Sequence, residues 1–238
     1  MHTGIREPMI ELAIAALAFV GFHLVPSSPV RVWVVQRLGE PTYLIGFSII
    51  SALTLVWLVI AFYGAPRGAQ LWFPGTIWVW IQALLMLFAL ALVTGGLGVP
   101  NPSAVGQGGA FQRANISEGI FAVTRHPVMW GAAIWGVTHI ISQPTLSGLL
   151  FFGAIIVVAL AGSWRQEQRK AREFGETWAG WKAKTSFLPF AAILAGRNRL
   201  NLRAIGYHLL VAAVLLWLGL LLGHRWLFGA RVLPYLGF

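Results

Sequence analysis

Arg125-His126-Pro127 opens an apolar run of the chain. A proline at the first turn suits a helix start, because the amide it lacks would have been unpaired anyway. Arg125 and His126 would then sit beside helix-start amides, whose partial positive charge favours an anion. A phosphate, a carboxylate or a haem propionate would suit such a place. A capping motif touching lipid headgroups would use the same residues. A second set runs from Trp164 to Phe190. Glu167, Lys170 and Phe174 are spaced to share a helical face, and Gly175 is a natural stop. Trp178 and Trp181, three apart, can face one side of a further short helix before Lys184 and Pro189-Phe190. An amphipathic helix lying on anionic lipid, with Lys and Arg outward, accounts for the cations here. It does not account for a lone Glu167 just after an apolar run. The third set is histidine within apolar runs, His23 and His139. Ionisable residues there are rare and tend to face a bundle interior. Axial ligation of haem iron and proton transfer are the chemical readings. A neutral imidazole bonded to a backbone carbonyl is the structural one. His208, His224 and His2 are expected at the interface or terminus.

The elements that must position these groups are set by composition. Of 238 residues, 58% are hydrophobic and only 10% charged, far below the roughly one-quarter charged of a soluble domain. An all-α integral membrane protein is expected, a bundle of about six transmembrane helices with a cytoplasmic amphipathic segment. The apolar segments are Ile10–Val25, Tyr43–Tyr63, Thr76–Leu97, Val128–Ile141, Leu146–Ser163 and Ile205–Gly223. The short fourth should pair with the fifth as a tight hairpin across Ser142-Gln143-Pro144. Residues 1–204 read as one membrane domain and 205–238 as an additional helix and tail. The first run is expected to be retained, since its flank carries Arg6, Glu7 and Glu11 and no small-residue cleavage site follows.

Thirteen Lys and Arg fall on one side of this topology and four on the other. The long basic loop is therefore expected in the cytoplasm, with both termini periplasmic in a bacterial inner membrane. The net charge of +10 sits in short loops, so nucleic acid is not an expected partner. The partners expected are the bilayer and a lipophilic or small-molecule substrate. The chain has no Cys, which removes disulfides, iron–sulfur clusters and thiolate-bound zinc or haem. Trp57, Trp72, Trp78, Trp164, Trp217 and Trp226 fall near span ends, where indoles anchor. Gly95 to Pro102 is glycine-rich but lacks the phosphate-loop pattern and reads as a helix stop and turn.

Together these elements resemble the NnrU family, which includes the zeta-carotene isomerases. The resemblance rests on His23, on Asn101-Pro102-Ser103-Ala104-Val105-Gly106, and on Thr124-Arg125-His126-Pro127. His139, thirteen residues after His126, and Trp164…Phe174-Gly175…Pro189-Phe190 complete it. It implies a polytopic protein associated with nitrogen-oxide respiration in some bacteria, with a respiratory enzyme as possible partner. In the carotene branch it implies haem b and redox-dependent cis–trans isomerisation of a polyene. The family's suggested ligands match His23 and His139. Where the carotene branch has Cys three residues before the second histidine this chain has Gly136, and Tyr63 replaces a further histidine. His23 is expected near the cytoplasmic end of its helix and His139 roughly 18–20 Å deeper at 1.5 Å per residue. Three arrangements stay open: His23 with His139, His23 with His126 and Arg125 near a propionate, or a single ligand. The C-terminal half also resembles isoprenylcysteine carboxyl methyltransferases and phospholipid methyltransferases through Arg125-His126-Pro127, Gln166-Glu167, Phe174-Gly175, Trp178, Trp181 and Pro189. That resemblance implies S-adenosylmethionine, with Arg125, Trp178 and Trp181 near the cofactor and Arg125, His126 and Glu167 as catalytic candidates. A non-catalytic assembly or regulatory factor is the third reading.

Overall fold

The computed structural model describes residues 3–103, 108–112, 116–230 and 232. Ala104, Val105 and Gly106 of the motif above, and His2, Arg113 and Arg231, lie outside the described residues. The described secondary structure is helical, with no strand among the described residues. The helices are α1 (Thr3–His23), α2 (Pro29–Leu38), α3 (Glu40–Gly64), α4 (Ile77–Leu97), α5 (Ile120–Val123), α6 (Pro127–Ser142), α7 (Leu146–Lys184), α8 (Ala191–Leu194), α9 (Leu202–Ile205) and α10 (Tyr207–Phe228).

Four of them, α3, α4, α7 and α10, are long and apolar enough to cross a bilayer. The other two expected spans are less simple. α6 has 16 residues, about 24 Å of helix against a hydrocarbon core of roughly 30 Å. α1 carries Arg6, Glu7 and Glu11 in its first half. α2 occupies a stretch read from the sequence as a loop. Pro29 begins it, its ten residues are too short to span, and none of them is buried.

The chain divides into two compact units. The first comprises Met1–Pro74 and His139–Gln166. There α1 packs on α3 around Leu12, Ala15, Phe19, Leu58 and Ala61, all buried. Phe62 stacks on Phe151 with ring centroids 4.4 Å apart. The segment after α3 is tied down where the Leu71 amide donates to Pro144 O at 2.7 Å and Trp72 Nε1 donates to Ile141 O at 3.2 Å. Thr145 caps α7 by accepting from the Gly148 amide at 3.1 Å, which closes the expected tight turn after α6.

The second unit comprises Gly75–Thr138 and Glu167–Phe238. α4 packs on α10, and Trp217 Nε1 donates across to Ala83 O at 2.8 Å. Its apolar centre gathers Leu92, Ile120, Phe121, Val123, Trp178 and Trp181. Gly119 has φ +61°, and a Cβ there would lie 2.5 Å from Ala204 O, so the chain passes this point only as glycine. Of the tryptophans read as interfacial anchors, Trp57, Trp72, Trp164 and Trp226 are exposed, whereas Trp217 is held by its bond to α4.

Candidate functional site: a buried polar lock at the start of α6

Local chemistry fixes the approach to α6. Thr124 turns the chain out of α5 in extended conformation, and its hydroxyl donates to Phe187 O at 2.7 Å. The same oxygen accepts from the His126 amide at 3.2 Å. The Arg125 amide donates to Ser186 O at 2.9 Å, and the Phe190 amide donates to Val123 O at 2.8 Å. Trp130 Nε1 also donates to Phe187 O, at 2.8 Å. Residues 123–126 are thus stitched to 186–190. The amides of Arg125 and His126 thus have protein acceptors, Ser186 O and the Thr124 hydroxyl; the helix-start amides expected to favour an anion lie beyond them, in the first turn of α6.

The side chains converge on one carboxylate. Glu167 Oε1 accepts from Arg125 Nε at 2.6 Å and from His126 Nε2 at 3.1 Å. Arg125 is 3% exposed and His126 1%. Arg125 Nη1 reaches Thr185 Oγ1 at 3.4 Å, and Thr185 donates to Trp181 O at 2.7 Å. On the other side Ser103 donates to Asn101 Oδ1 at 2.7 Å and reaches Arg125 O at 3.1 Å. So Asn101 and Ser103, quoted above only as part of a motif, belong to this site. Thr124, Thr185 and Ser186 belong to it as well. Their one trace in the sequence is Thr124 beside Arg125-His126-Pro127 and the adjacent hydroxyl pair Thr185-Ser186.

Protonation follows from the geometry. Glu167 lies four residues beyond Ser163, outside the apolar stretch of α7. Burial raises its carboxyl, but the hydrogen bonds from His126 and Arg125 and the Arg125 charge outweigh burial and hold it at about 2. Burial lowers His126, and Arg125 adds to that, against the opposing pull of Glu167. His126 is therefore neutral at pH 7 and donates its Nε2 proton to a charged Glu167. Arg125 and Glu167 are the ion pair.

Trp178 and Trp181 do not stand free to cover a ligand. Both are buried in the apolar centre, 5.1 Å apart and edge-on, and Trp181 Nε1 donates to Ile116 O at 3.2 Å. α7 breaks at Gly175 (φ 49°, ψ −123°), which turns the short helix carrying them inward. Lys170 is buried too, with Nζ 4.7 Å from the Phe174 ring centroid. This departs from an amphipathic helix with every cation outward.

The histidines divide between the units. His23 and His139 belong to the first and His126 to the second. His23 Nδ1 lies 2.8 Å from Phe19 O. A carbonyl only accepts, so Nδ1 carries the proton and Nε2 keeps its lone pair, the arrangement of a metal-binding imidazole. Rings of Phe19 and Phe47 lie beside it at 4.2 and 6.0 Å. His139 is half-buried, 5.1 Å from the Phe152 ring. His126 Nε2 is taken by Glu167. Among the described residues no cluster of three or more His, Cys, Asp or Glu could hold a metal ion, a test that a two-histidine haem site does not meet or fail.

The family described as "NnrU protein" matches residues 11–232, and the chain belongs to that family. It is also similar to 15-cis-zeta-carotene isomerase, chloroplastic, of Arabidopsis thaliana, at 30% identity over 68% of this chain and 45% of the relative. The protein of the same name from Zea mays is 28% identical over 68% of this chain and 44% of the relative. The chain thus spans less than half the length of the curated relatives it matches. No solved structure matches it.

Proposed function

We propose that this NnrU-family chain is a membrane cis–trans isomerase for a lipophilic polyene, with haem b held in its first unit through His23. The observation that carries the reading is the contact of His23 Nδ1 with Phe19 O at 2.8 Å. Phe19 O can only accept, so Nδ1 donates and Nε2 offers a lone pair beside the Phe19 and Phe47 rings. The relatives' name supplies the reaction class, and the family resemblance supplies the cofactor. Bound haem would supply a redox-active iron. The chain's own residues orient the imidazole, exclude water and offer an apolar wall of Phe19, Phe22 and Phe47 to a polyene. Arg125, His126 and Glu167 hold the start of α6, the helix that carries His139 toward its other end.

In this reading the basic stretch after the apolar part of α7 faces the cytoplasm of a bacterial inner membrane. The test is purification in mild detergent and a reduced pyridine haemochrome spectrum, followed by chromatography of 15-cis-zeta-carotene isomers. A haem b spectrum lost in His23→Ala and kept in His126→Gln is expected. Protein that stays colourless after haem reconstitution ends the haem assignment. The convergence of Arg125, His126 and Glu167 is what favours the methyltransferase reading, and calorimetric binding of S-adenosylhomocysteine would revive it. Co-purification with a respiratory enzyme, without isomerisation, would point to an assembly role.

A further inference from the structure

Glu176 is the last acidic residue of the chain. Beyond it come Lys182, Lys184, Arg197, Arg199 and Arg203, all exposed. The sequence places them in two groups. The fold brings the groups together. Arg197 Nη1 donates to Ala183 O at 2.8 Å and to Thr185 O at 3.0 Å, closing the end of α7. Asn198 Nδ2 donates to Lys184 O and to Ser117 O, each at 2.8 Å. These bonds fix 197–199 against 182–185. Asn201 then caps α9 by accepting from the Arg203 and Ala204 amides, so Arg203 is held as well. Exposed acids also occur nearby in sequence, Glu118 next to Ser117 and Glu173 and Glu176 upstream on α7.

Between the cations stand apolar side chains that the protein leaves uncovered. Leu194 is 85% exposed and Leu188 57%. Leu200 and Leu202 are half-exposed beside them, and one residue past α9 the spanning helix α10 begins. Clustered cations with interleaved leucines at the mouth of a spanning helix have one matching surface. Headgroup phosphates meet the guanidinium and ammonium groups, and the leucines enter the upper acyl layer.

We propose that residues 182–203 form a docking surface for anionic phospholipid headgroups. It is independent of the isomerase reading, because none of these side chains contacts the histidines or the polar lock through its charged group except Arg197, whose role is to hold the patch together.

The test uses the full chain in dodecyl maltoside, titrated with phosphatidylglycerol or phosphatidylcholine, with thermal stability as readout. Phosphatidylglycerol should stabilise strongly and phosphatidylcholine weakly. Each cation contributes about fivefold in apparent affinity, from roughly 1 kcal/mol per basic residue at an anionic surface. Lys182→Gln with Lys184→Gln, and separately Arg199→Gln with Arg203→Gln, should each weaken the phosphatidylglycerol response by an order of magnitude or more. Two separate pairs keep the test valid if one of them folds poorly. Arg67→Gln, outside the patch, should leave the response intact. Equal stabilisation by the two lipids, an unchanged response in both pairs, or full reproduction by inorganic phosphate would overturn the proposal.

Discussion

Glu167→Gln removes the charge at the centre of the lock while keeping its size. Glu167 Oε1 serves both Arg125 Nε and His126 Nε2. The glutamine carbonyl can accept one of these donors, but its amide group repels the guanidinium. Arg125, 3% exposed, would be left without a counter-charge. Breaking a buried pair from one side costs about 3–5 kcal/mol. The Glu167 side chain is 13% exposed, which admits some solvent and places the expected loss near the lower end, about 3 kcal/mol. That corresponds to roughly a hundredfold in the folding equilibrium. The assay is denaturant unfolding in detergent, followed by tryptophan fluorescence, because Trp178 and Trp181 lie in the adjoining apolar centre. The decisive comparison is Arg125→Met combined with Glu167→Gln. Removing both charges leaves no buried charge unpaired, and the glutamine carbonyl still accepts from His126 Nε2, so the double variant should be more stable than Glu167→Gln alone. A single variant that loses less than about 0.5 kcal/mol, the range of ordinary surface substitutions, would show that the pair is not coupled as described. Strict additivity of the single substitutions would refute the reasoning equally.

Acid should weaken the fold in two windows. His126 is lowered from 6.5, so as pH falls below 6.5 the unfolded chain takes a proton the folded one refuses, and stability drops. Glu167 is lowered from 4.5 to about 2, so its contribution is complete above 4.5 and is lost as pH falls toward 2. Unfolding titrations should show His126→Gln flattening the first window and Glu167→Gln the second. Gly119→Ala forces a side chain into positive φ and onto Ala204 O, and thermal unfolding should register a loss of at least 1–2 kcal/mol. Ser103→Ala removes a buried hydroxyl bonded to Asn101 and Arg125 and should cost about 1 kcal/mol in the same assay.

The sequence made the membrane-helical character legible, because lipid exposure demands long apolar runs and these need no knowledge of partners. It also located Gly175, since a break before Trp178 follows from local conformational preference. α2 escaped because a ten-residue helix with Arg31, Gln36 and Arg37 shows no sustained apolar run. The helix start picks out Arg125 and His126, and a lone acid just after an apolar run picks out Glu167. The acceptor of the Arg125 amide, Ser186 O, is not legible there, because it depends on a return of the chain about sixty residues later. Lys170 shares the face of Phe174 that its spacing gives it, but not the outward direction of the lipid-surface reading. Whether a lysine faces lipid or the Phe174 ring depends on how the helix is rolled, and composition does not fix that.

The shared oxygen of Glu167 limits what the lock can do as chemistry. Its charge is already matched by Arg125, and a second positive charge on His126 would be opposed by burial and by Arg125. The assembly at pH 7 therefore holds one anion, one cation and one neutral donor, with no proton poised for transfer. An incoming carboxylate or phosphate that took Arg125 Nε would displace Glu167 from it and leave that carboxylate only its hydrogen bond from His126. His23 has no such obstacle, because Phe19 O settles its tautomer and leaves Nε2 for a ligand. In the proposed function the two sites accordingly answer different measurements. Glu167→Gln should move unfolding midpoints while the haemochrome spectrum of the folded fraction stays unchanged. His23→Ala should abolish the spectrum with a small change in unfolding of the apoprotein. If Glu167→Gln instead removes the haem from protein that remains folded, the lock is part of the cofactor site and its assignment as a structural clamp fails.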